Sequence, residues 1–453
     1  MDLIDMVVKG VRKAEQLGAS EAEVYIVREY STSITGDSRG VESILSGESI
    51  SAFVRVVIGK RLSVQGAMMS KPSDIETLVE NAVKIARASP EDPNWVSLPK
   101  RISSSQIMDI VDEKVKSPDI EFYTQIVKEA LGKPSEISRN VLVNQAGVSL
   151  SFSERAIGNS YSSPISYEKT DFVFGIEVKA VGEGSESSFH SYYNAPTLKE
   201  FKMDKVVEEA TKIALSTLKA KPVETGVYKV VFTPRVFASI LQALIVPAVR
   251  ADMVQKKRSP LANKLFSEVL SQQLTVIDDG AAPNMPGSGP FDDEGVATKR
   301  KTVFDRGVLR TYLYDTYTAN IDGRESTGNA RRSGSSNTFP DATNIIVLPG
   351  TEPLDSIIRD VRRGIIVYGT IGEWLSNAVS GFLNATVTHG LLIEGGEVKQ
   401  AVKGVVISGD IYKILKDNLI GISKEFDAVS NYLVPAIAVD GVTVAGEGSG
   451  QRF

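Results

Sequence analysis

The sequence predicts an α+β protein: an N-terminal α/β-layered domain followed by a β-rich, barrel-like C-terminal domain with few helices. Three observations carry this expectation. Helical periodicity and strict strand alternation succeed one another over residues 1–92. Turn signals built on glycine, proline and Asp-Gly punctuate the second half. The 453 residues exceed what one ordinary core accommodates, so two or three domains are expected.

Leu3, Val7, Val11, Ala14 and Leu17 recur at helical spacing, and Gly18 stops that helix. AEVYIVRE then reads as a strand. In SISAFVRVVIG, Ile50, Ala52, Val54, Val56 and Ile58 fall on one strand face. A second helix opens at Pro72-Ser73-Asp74 and aligns Ile75, Leu78, Ala82, Ile85 and Ala86. These elements make up the N-terminal domain, 1–92. ASPEDPNWVSLPK, rich in proline and polar residues, reads as a linker over the surface.

The central region, 93–221, holds a short helix near 119–131 and is otherwise strand-rich. NVLVNQAGVSLSFSERA reads as a hairpin turning at Gly147, and DFVFGIEVKAVG alternates from Phe172 to Ala180. A helix from about Leu198 to Leu218 closes the region. KAKPVETG marks the major boundary, because Pro222 and Gly226 break helix and strand alike. The C-terminal domain, 222–453, opens with the strand GVYKVVFTP and an apolar helix from about Arg235 to Val249. Hairpins are then expected at Asp305-Arg306-Gly307, Gly395-Gly396 and Asp440-Gly441.

Composition excludes several function classes. A formal net charge of −5 supplies no basic field for nucleic acid. The runs Lys256-Lys257-Arg258, Lys299-Arg300-Lys301 and Arg331-Arg332 read as solvated surface. The chain has no cysteine, which removes disulfides, thiol nucleophiles and cysteine-ligated zinc. Asp2 and Asp5 stand where a secretory leader needs positive charge, and the longest apolar stretch, around 243–249, is too short to span a bilayer. A cytoplasmic protein with neither nucleic-acid nor membrane partners is expected.

Candidate chemistry is sparse. His190 and His389 are the only histidines, and neither accompanies a glycine-framed serine motif. The glycine-rich stretches at 287–290 and 446–451 lack a Walker lysine, so they read as loops. Two acidic clusters remain, Asp278-Asp279 and Asp292-Asp293-Glu294. Carboxylates of this kind suit magnesium or calcium. Neighbouring residues on a strand point to opposite faces, however, and Asp beside Gly or Pro equally suits a turn. Both readings stay open at this point.

Several second-half motifs occur in a fixed order: SPLANKLFSEVLSQQLTVIDDG, GPFDDEGVATKRKTVFDRGVLRTYLYDTYTA, ESTGNARR, NIIVLPGT and GLLIEGGEVKQAVKGVVISG. With LGASEAEVYIV and ISAFVRVVIGKRLSVQG near the N-terminus, this order resembles the TldD/PmbA (TldE) family, labelled modulators of DNA gyrase. The resemblance implies two branches. The TldD branch is a metallopeptidase with an H-E-x-x-x-H helix and a cysteine ligand near the C-terminus. The PmbA/TldE branch lacks these residues and pairs with TldD as a heterodimer acting on unfolded peptides. Aligned on Asp252, the motif positions here are Gln242, Ala243 and Pro247, and EFDAVSNYLVPA supplies no cysteine.

Gln242 is a poor zinc ligand, Ala243 cannot act as a base, and Pro247 has no side-chain donor atom. Proline at 247 is also expected to kink or end the helix. The resemblance therefore implies a non-catalytic PmbA/TldE-like subunit with no catalytic residue and no metal of its own, zinc being expected in a TldD-type partner. STGNARRSGS, Ser326–Ser335, is expected to help form the peptide cleft through Thr327, Gly328, Asn329, Arg331 and Arg332, either arginine meeting a substrate carboxylate. An exposed arginine pair is the plain alternative. The competing functions are a divergent metal-dependent hydrolase built on the acidic clusters, and a standalone peptide-binding homodimer. The family reading makes the acids turn residues around the cleft.

Overall fold

The computed structural model describes residues 2–334 and 337–446. The N-terminal portion begins with α1 (Leu3–Gln16), capped by the Asp2 carboxylate, which accepts from the Ile4 N–H. It is followed by β1 (Glu21–Asp37), β2 (Gly40–Ile58), β3 (Arg61–Met68) and α2 (Asp74–Ala88). The single turn α3 (Glu113–Lys116) and α4 (Ile120–Ile137) lead into β4 (Val141–Asn159), β5 (Ser162–Gly182), β6 (Ser185–Ala195) and α5 (Met203–Ser216). All six strands form one antiparallel sheet in the order β3-β2-β1-β4-β5-β6. The junction is the β1–β4 pairing, Glu23 opposite Asn159 through Gly36 opposite Ala146. Segments on both sides of residue 93 thus build a single sheet.

One face of that sheet is apolar and covered by helices. Val24, Ile26, Val54 and Val56 pack under α1 and α2, while Phe172, Phe174, Ile176 and Val178 pack under α4 and α5. The alternation read over Phe172 to Ala180 is therefore the helix-covered face. The opposite face carries Glu23, Tyr25, Arg55, Arg155, Tyr167 and Lys169, and the C-terminal domain sits on it.

The barrel-like C-terminal domain is present. β7 (Gly226–Phe232), β14 (Arg363–Ile371), β15 (Phe382–Glu394), β17 (Val405–Asp410) and β19 (Tyr432–Ala445) close into a ring, because β19 pairs with both β17 and β7. Closure leaves these strands no free edge. The ring is extended through β13 (Ile345–Val347), β8 (Val276–Asp279), β9 (Arg300–Asp305) and β10 (Val308–Leu309). Inward-facing Val230, Phe232, Val367, Val387, Ile407 and Ile437 join the helix that follows β7 in one core.

Three sequence expectations need correction. β4 runs straight through Gly147 without a turn. A Cβ there would lie 2.8 Å from the Ile34 carbonyl oxygen, so glycine serves close strand approach. The turn comes later, where the Asn159 side chain accepts from the Tyr161 and Ser162 N–H groups. Asp440-Gly441 is likewise no hairpin but a bulge inside β19, at the register shift between Val439 and Val442. The 90–100 segment is no loose linker: Trp95 and Leu98 are buried against Val57, and the Leu98 N–H donates to Glu21. The expected turns at Arg306-Gly307 and Gly395-Gly396 are present.

Across the interface between sheet and barrel, Arg55 is buried to 2 % exposure. It donates to both Glu23 carboxylate oxygens at 3.0 and 2.9 Å and to Glu294 at 2.9 Å. Removing a buried, doubly paired cation strands two carboxylates. Arg55→Met is expected to cost about 3–5 kcal/mol of stability; urea denaturation followed by fluorescence checks it.

Candidate functional site

The helix after β7 begins at Thr233-Pro234, where proline supplies a preset φ and no N–H is wasted. Its α6 portion (Pro234–Ile240) continues through a π-helical turn (Leu241–Ile245) into α7 (Val246–Val249). In the π turn the Val246 N–H reaches back to the Leu241 carbonyl, five residues earlier. This reconciles Pro247 with a continuing helix. The wider turn accommodates a residue that has no N–H to give and whose ring would crowd the preceding turn. The expected break at Pro247 thus takes the form of a local change of pitch, and the helix ends at Arg250.

Leu241, Leu244, Ile245 and Val249 are buried in the barrel core. Gln242 is exposed, Pro247 is half-buried, and Ala243 is half-buried against the barrel core. Gln242 and Pro247 line a cleft of about 490 Å³ together with Arg250, Arg331, Phe339 and Tyr432. The Arg250 guanidinium pairs with Asp252 at 3.1 Å and lies 4.7 Å from the Phe339 ring centroid.

The acidic clusters organise the wall of this cleft. Asp292 Oδ1 accepts from the Glu294 and Val296 N–H groups, each at 3.0 Å, and Oδ2 accepts from the Ala330 N–H at 2.9 Å. Burial and the neighbouring Glu294 carboxylate push Asp292 above the ordinary carboxylate range, against the pull of these three donors. Asp293 accepts from the Arg332 N–H at 2.8 Å. Burial pushes Glu294 up too, but the Arg55 guanidinium together with hydrogen bonds from Thr316 and Thr338 outweighs it and holds that carboxyl below the usual range. Asp278 accepts from Lys301, Asn329 and both the N–H and hydroxyl of Thr343; Asp279 accepts from Arg300 and the Ala281 N–H. The five carboxylates are committed to holding backbone. Among the described residues, no three His, Cys, Asp or Glu side chains form a group able to hold a metal ion.

The expected cleft residues divide. Arg331 is half-buried and lines the cleft. The Arg332 guanidinium turns inward, its Nε donating to the Asp293 carbonyl at 3.0 Å and its Nη2 pairing with Glu23. Arg332 lines the cleft as well, with its guanidinium held by the sheet's own glutamate. Thr327 bonds Tyr314, and buried Asn329 donates to Asp278 and to the Asp341 carbonyl, each at 2.8 Å. Gly328 has φ +70°, and a Cβ there would lie 2.5 Å from the Ala297 carbonyl oxygen. Ser335 and the residues beyond Gly446 lie outside the described residues. His190 and His389 sit in different sheets, the latter packed edge-on against Phe189.

A second cavity, of about 290 Å³, shares Pro286, Gly287 and Arg331 with the cleft and penetrates between sheet and barrel. Arg155, Tyr167, Lys169, Asp171 and Asn194 line it. Arg155 stands opposite Tyr167 in the β4–β5 register, and Lys169 and Asp171 follow at every second residue, so all share one face. Lys169 donates to the Pro286 carbonyl and lies 3.5 Å from Asp171. Burial, aided by Arg155 and Arg331, brings its ammonium down to about 8. Sequence reading missed these residues, as it missed Glu23 and Arg55. The available signal was a run of charged and aromatic residues on the sheet face opposite a fully apolar one.

Asp315, 1 % exposed, caps the helix Thr316–Ile321 by accepting from the Thr318 N–H at 2.8 Å. Burial and the Glu294 charge raise its carboxyl to about 7. An acid whose folded pKa exceeds the unfolded value, about 3.9, binds more protons folded, so its contribution falls as pH rises from about 4 to 7. Asp315→Asn, which keeps a capping acceptor, is expected to gain stability relative to the native chain as pH rises through that window. Urea midpoints at pH values on either side of the window measure it. For Gly328→Ala, strain at positive φ predicts a loss of about 1–3 kcal/mol, read by the same titration.

With this geometry established, three family models match the chain: PmbA/TldA metallopeptidase domain 1 over residues 22–86, the central domain over 111–218, and the C-terminal domain over 225–446. A metalloprotease of Methanocaldococcus jannaschii is 27% identical over 436 residues, 93% of this chain and 92% of its own. The metalloprotease PmbA homolog of Haemophilus influenzae is 24% identical, covering 96% of this chain and 94% of its own. The crystal structure of TldE from Thermococcus kodakarensis superposes with a TM-score of 0.89 at 23% identity, covering 97% of this chain and 100% of that one. That likeness establishes the fold.

Proposed function

The chain belongs to the PmbA/TldD metallopeptidase family, and on that premise we propose that it is a TldE-type, non-catalytic subunit. It pairs with a TldD-type metallopeptidase, in the cytoplasm, to process unfolded peptides. The observation that carries this reading is the open side of the helix over Pro234–Val249. Where the family resemblance puts a metal-binding His, a general-base Glu and a second His, Gln242 and Pro247 line the cleft and Ala243 packs half-buried against the barrel core. An amide, a methyl group and a pyrrolidine ring do not fit a zinc ion, and none can take a proton from water. The metal and the hydrolytic step belong to the partner.

What this chain retains is suited to holding peptide. The cleft has an aromatic wall at Phe339 and Tyr432 and a cation at Arg331, beside the short β11 (Ala330–Arg331) and β12 (Phe339–Pro340) pair. The carboxylate-hydrolase alternative loses its ligands, because the acids are occupied by N–H groups and cations. A surface for assembly is also present: Ile371, Trp374, Leu375, Val379 and Phe382 are exposed at the end of the β14–β15 hairpin. Such a surface suits a TldD-type partner, with a homodimer as the alternative occupant.

Three measurements test the assignment together. The purified chain is expected to carry no stoichiometric metal by elemental analysis and to leave an unfolded peptide intact, with chelator-sensitive cleavage appearing when a TldD-type protein is added. Light scattering is expected to show a heterodimer in the mixture. Chelator-sensitive cleavage by this chain alone would overturn the reading.

A further inference from the structure

The cavity between sheet and barrel brings three cations, Arg155, Lys169 and Arg331, to one wall. Asp292 and Asp293 also border it, but they accept from backbone N–H groups. Asp171 lies beside Lys169. Among the described residues, neither Arg155 nor Arg331 has a carboxylate within 4.0 Å. The nearest polar partner of the Arg155 Nε is the Ser153 hydroxyl, at 3.4 Å. Asp171 and Asp293 favour the charged Arg155 only from beyond salt-bridge distance, and a bidentate carboxylate is the group a guanidinium fork fits.

A second observation narrows the ligand. The Oδ1 atom of Asn194 is buried in the wall and accepts no hydrogen bond. An orphaned buried acceptor calls for a donor. A ligand with a carboxylate and an adjacent N–H answers both needs, and the last residue of a peptide has this arrangement. The cavity's volume, about 290 Å³, suits a terminal residue rather than a longer segment. Its shared border with the cleft at Pro286, Gly287 and Arg331 lets a chain lying in the cleft end there.

We propose that this interdomain cavity is a carboxylate subsite that receives the C-terminal residue of a peptide, with Arg155, Arg331 and Lys169 on the carboxylate and Asn194 on the backbone N–H. The inference rests on the peptide-cleft reading, but it assigns a polarity to the bound chain, and this requires neither metal nor partner. It makes this subunit the one that gauges the distance from a peptide's end.

Calorimetric titration of the isolated chain with N-acetyl-alanyl-alanine tests the subsite. Saturable binding is expected, weakened about tenfold or more when the ligand is the C-terminal amide or the protein is Arg155→Met. Arg155→Lys, which keeps the charge but not the fork, is expected to fall between. Circular dichroism of each variant confirms that it is folded. Equal affinity for acid and amide would overturn the proposal, as would absence of saturable binding. Acetate or phosphate binding as tightly as the peptide acid would also overturn it, by assigning a free-anion site. Because the partner is absent from this assay, its failure leaves the reconstituted peptidase test standing, and the converse holds too.

Discussion

The buried pairing of Arg55 with Glu23 and Glu294 is the constraint on which the rest of this structure depends. Glu23 and Arg55 face each other across β1 and β2, while Glu294 arrives from a loop 239 positions beyond Arg55. Arg332 adds a second cation on Glu23, and Thr338 donates to Glu294. Charges this deep gain little net stability over an apolar core, but removing one member is costly because its partners remain buried. The network therefore acts through specificity. Only one placement of the barrel on the sheet satisfies all four charges, and that placement forms the cleft and the cavity.

The acidic stretch beside this network shows how carboxylates can look catalytic and be architectural. Asp292 receives three backbone N–H groups, two from its own turn and one from β11. Asp278 ties Lys301, Asn329 and Thr343 to β8. Each oxygen so engaged is unavailable to a metal ion unless the backbone that donates to it moves. Loops that must stay extended and irregular at a cleft cannot satisfy their N–H groups by pairing with strands, and side-chain carboxylates fill that need.

The sequence was most legible where a single periodicity governs a segment. α1, α2 and the Phe172–Ala180 face were readable because one side meets water or a partner element and the other meets a helix-covered core. The barrel was readable as hairpins, but its closure was not, since the pairing of β19 with β7 joins segments remote in sequence. Two turns were misplaced for a common reason: Gly147 and Gly441 look alike in sequence, yet one allows close backbone approach and the other sits in a bulge. The site was legible only in part. Glu23 and Arg55 alternate with apolar residues as a solvent-facing strand would, and only the docked barrel shows that this polar face is interior. Arg331 and Arg332 are adjacent, chemically alike and both line the cleft, and which one is tied down was decided by a glutamate some three hundred residues away.

The helix behind the cleft makes the division of labour physical. Its buried side keeps the residues that a barrel core needs, and its open side carries none of the donors that hydrolysis needs. A histidine at position 247 would fit an ordinary α-helix; proline requires the π turn that precedes it. The local pitch of this helix is thus set by fit to the barrel, with no ligand geometry to preserve. The charges around it are in the opposite state. Arg155 and Arg331 are brought to a cavity wall by a strand and a loop, with no carboxylate in salt-bridge contact. On the proposed function, a subunit relieved of the metal could keep its cations for the substrate, with no catalytic ion to balance them against.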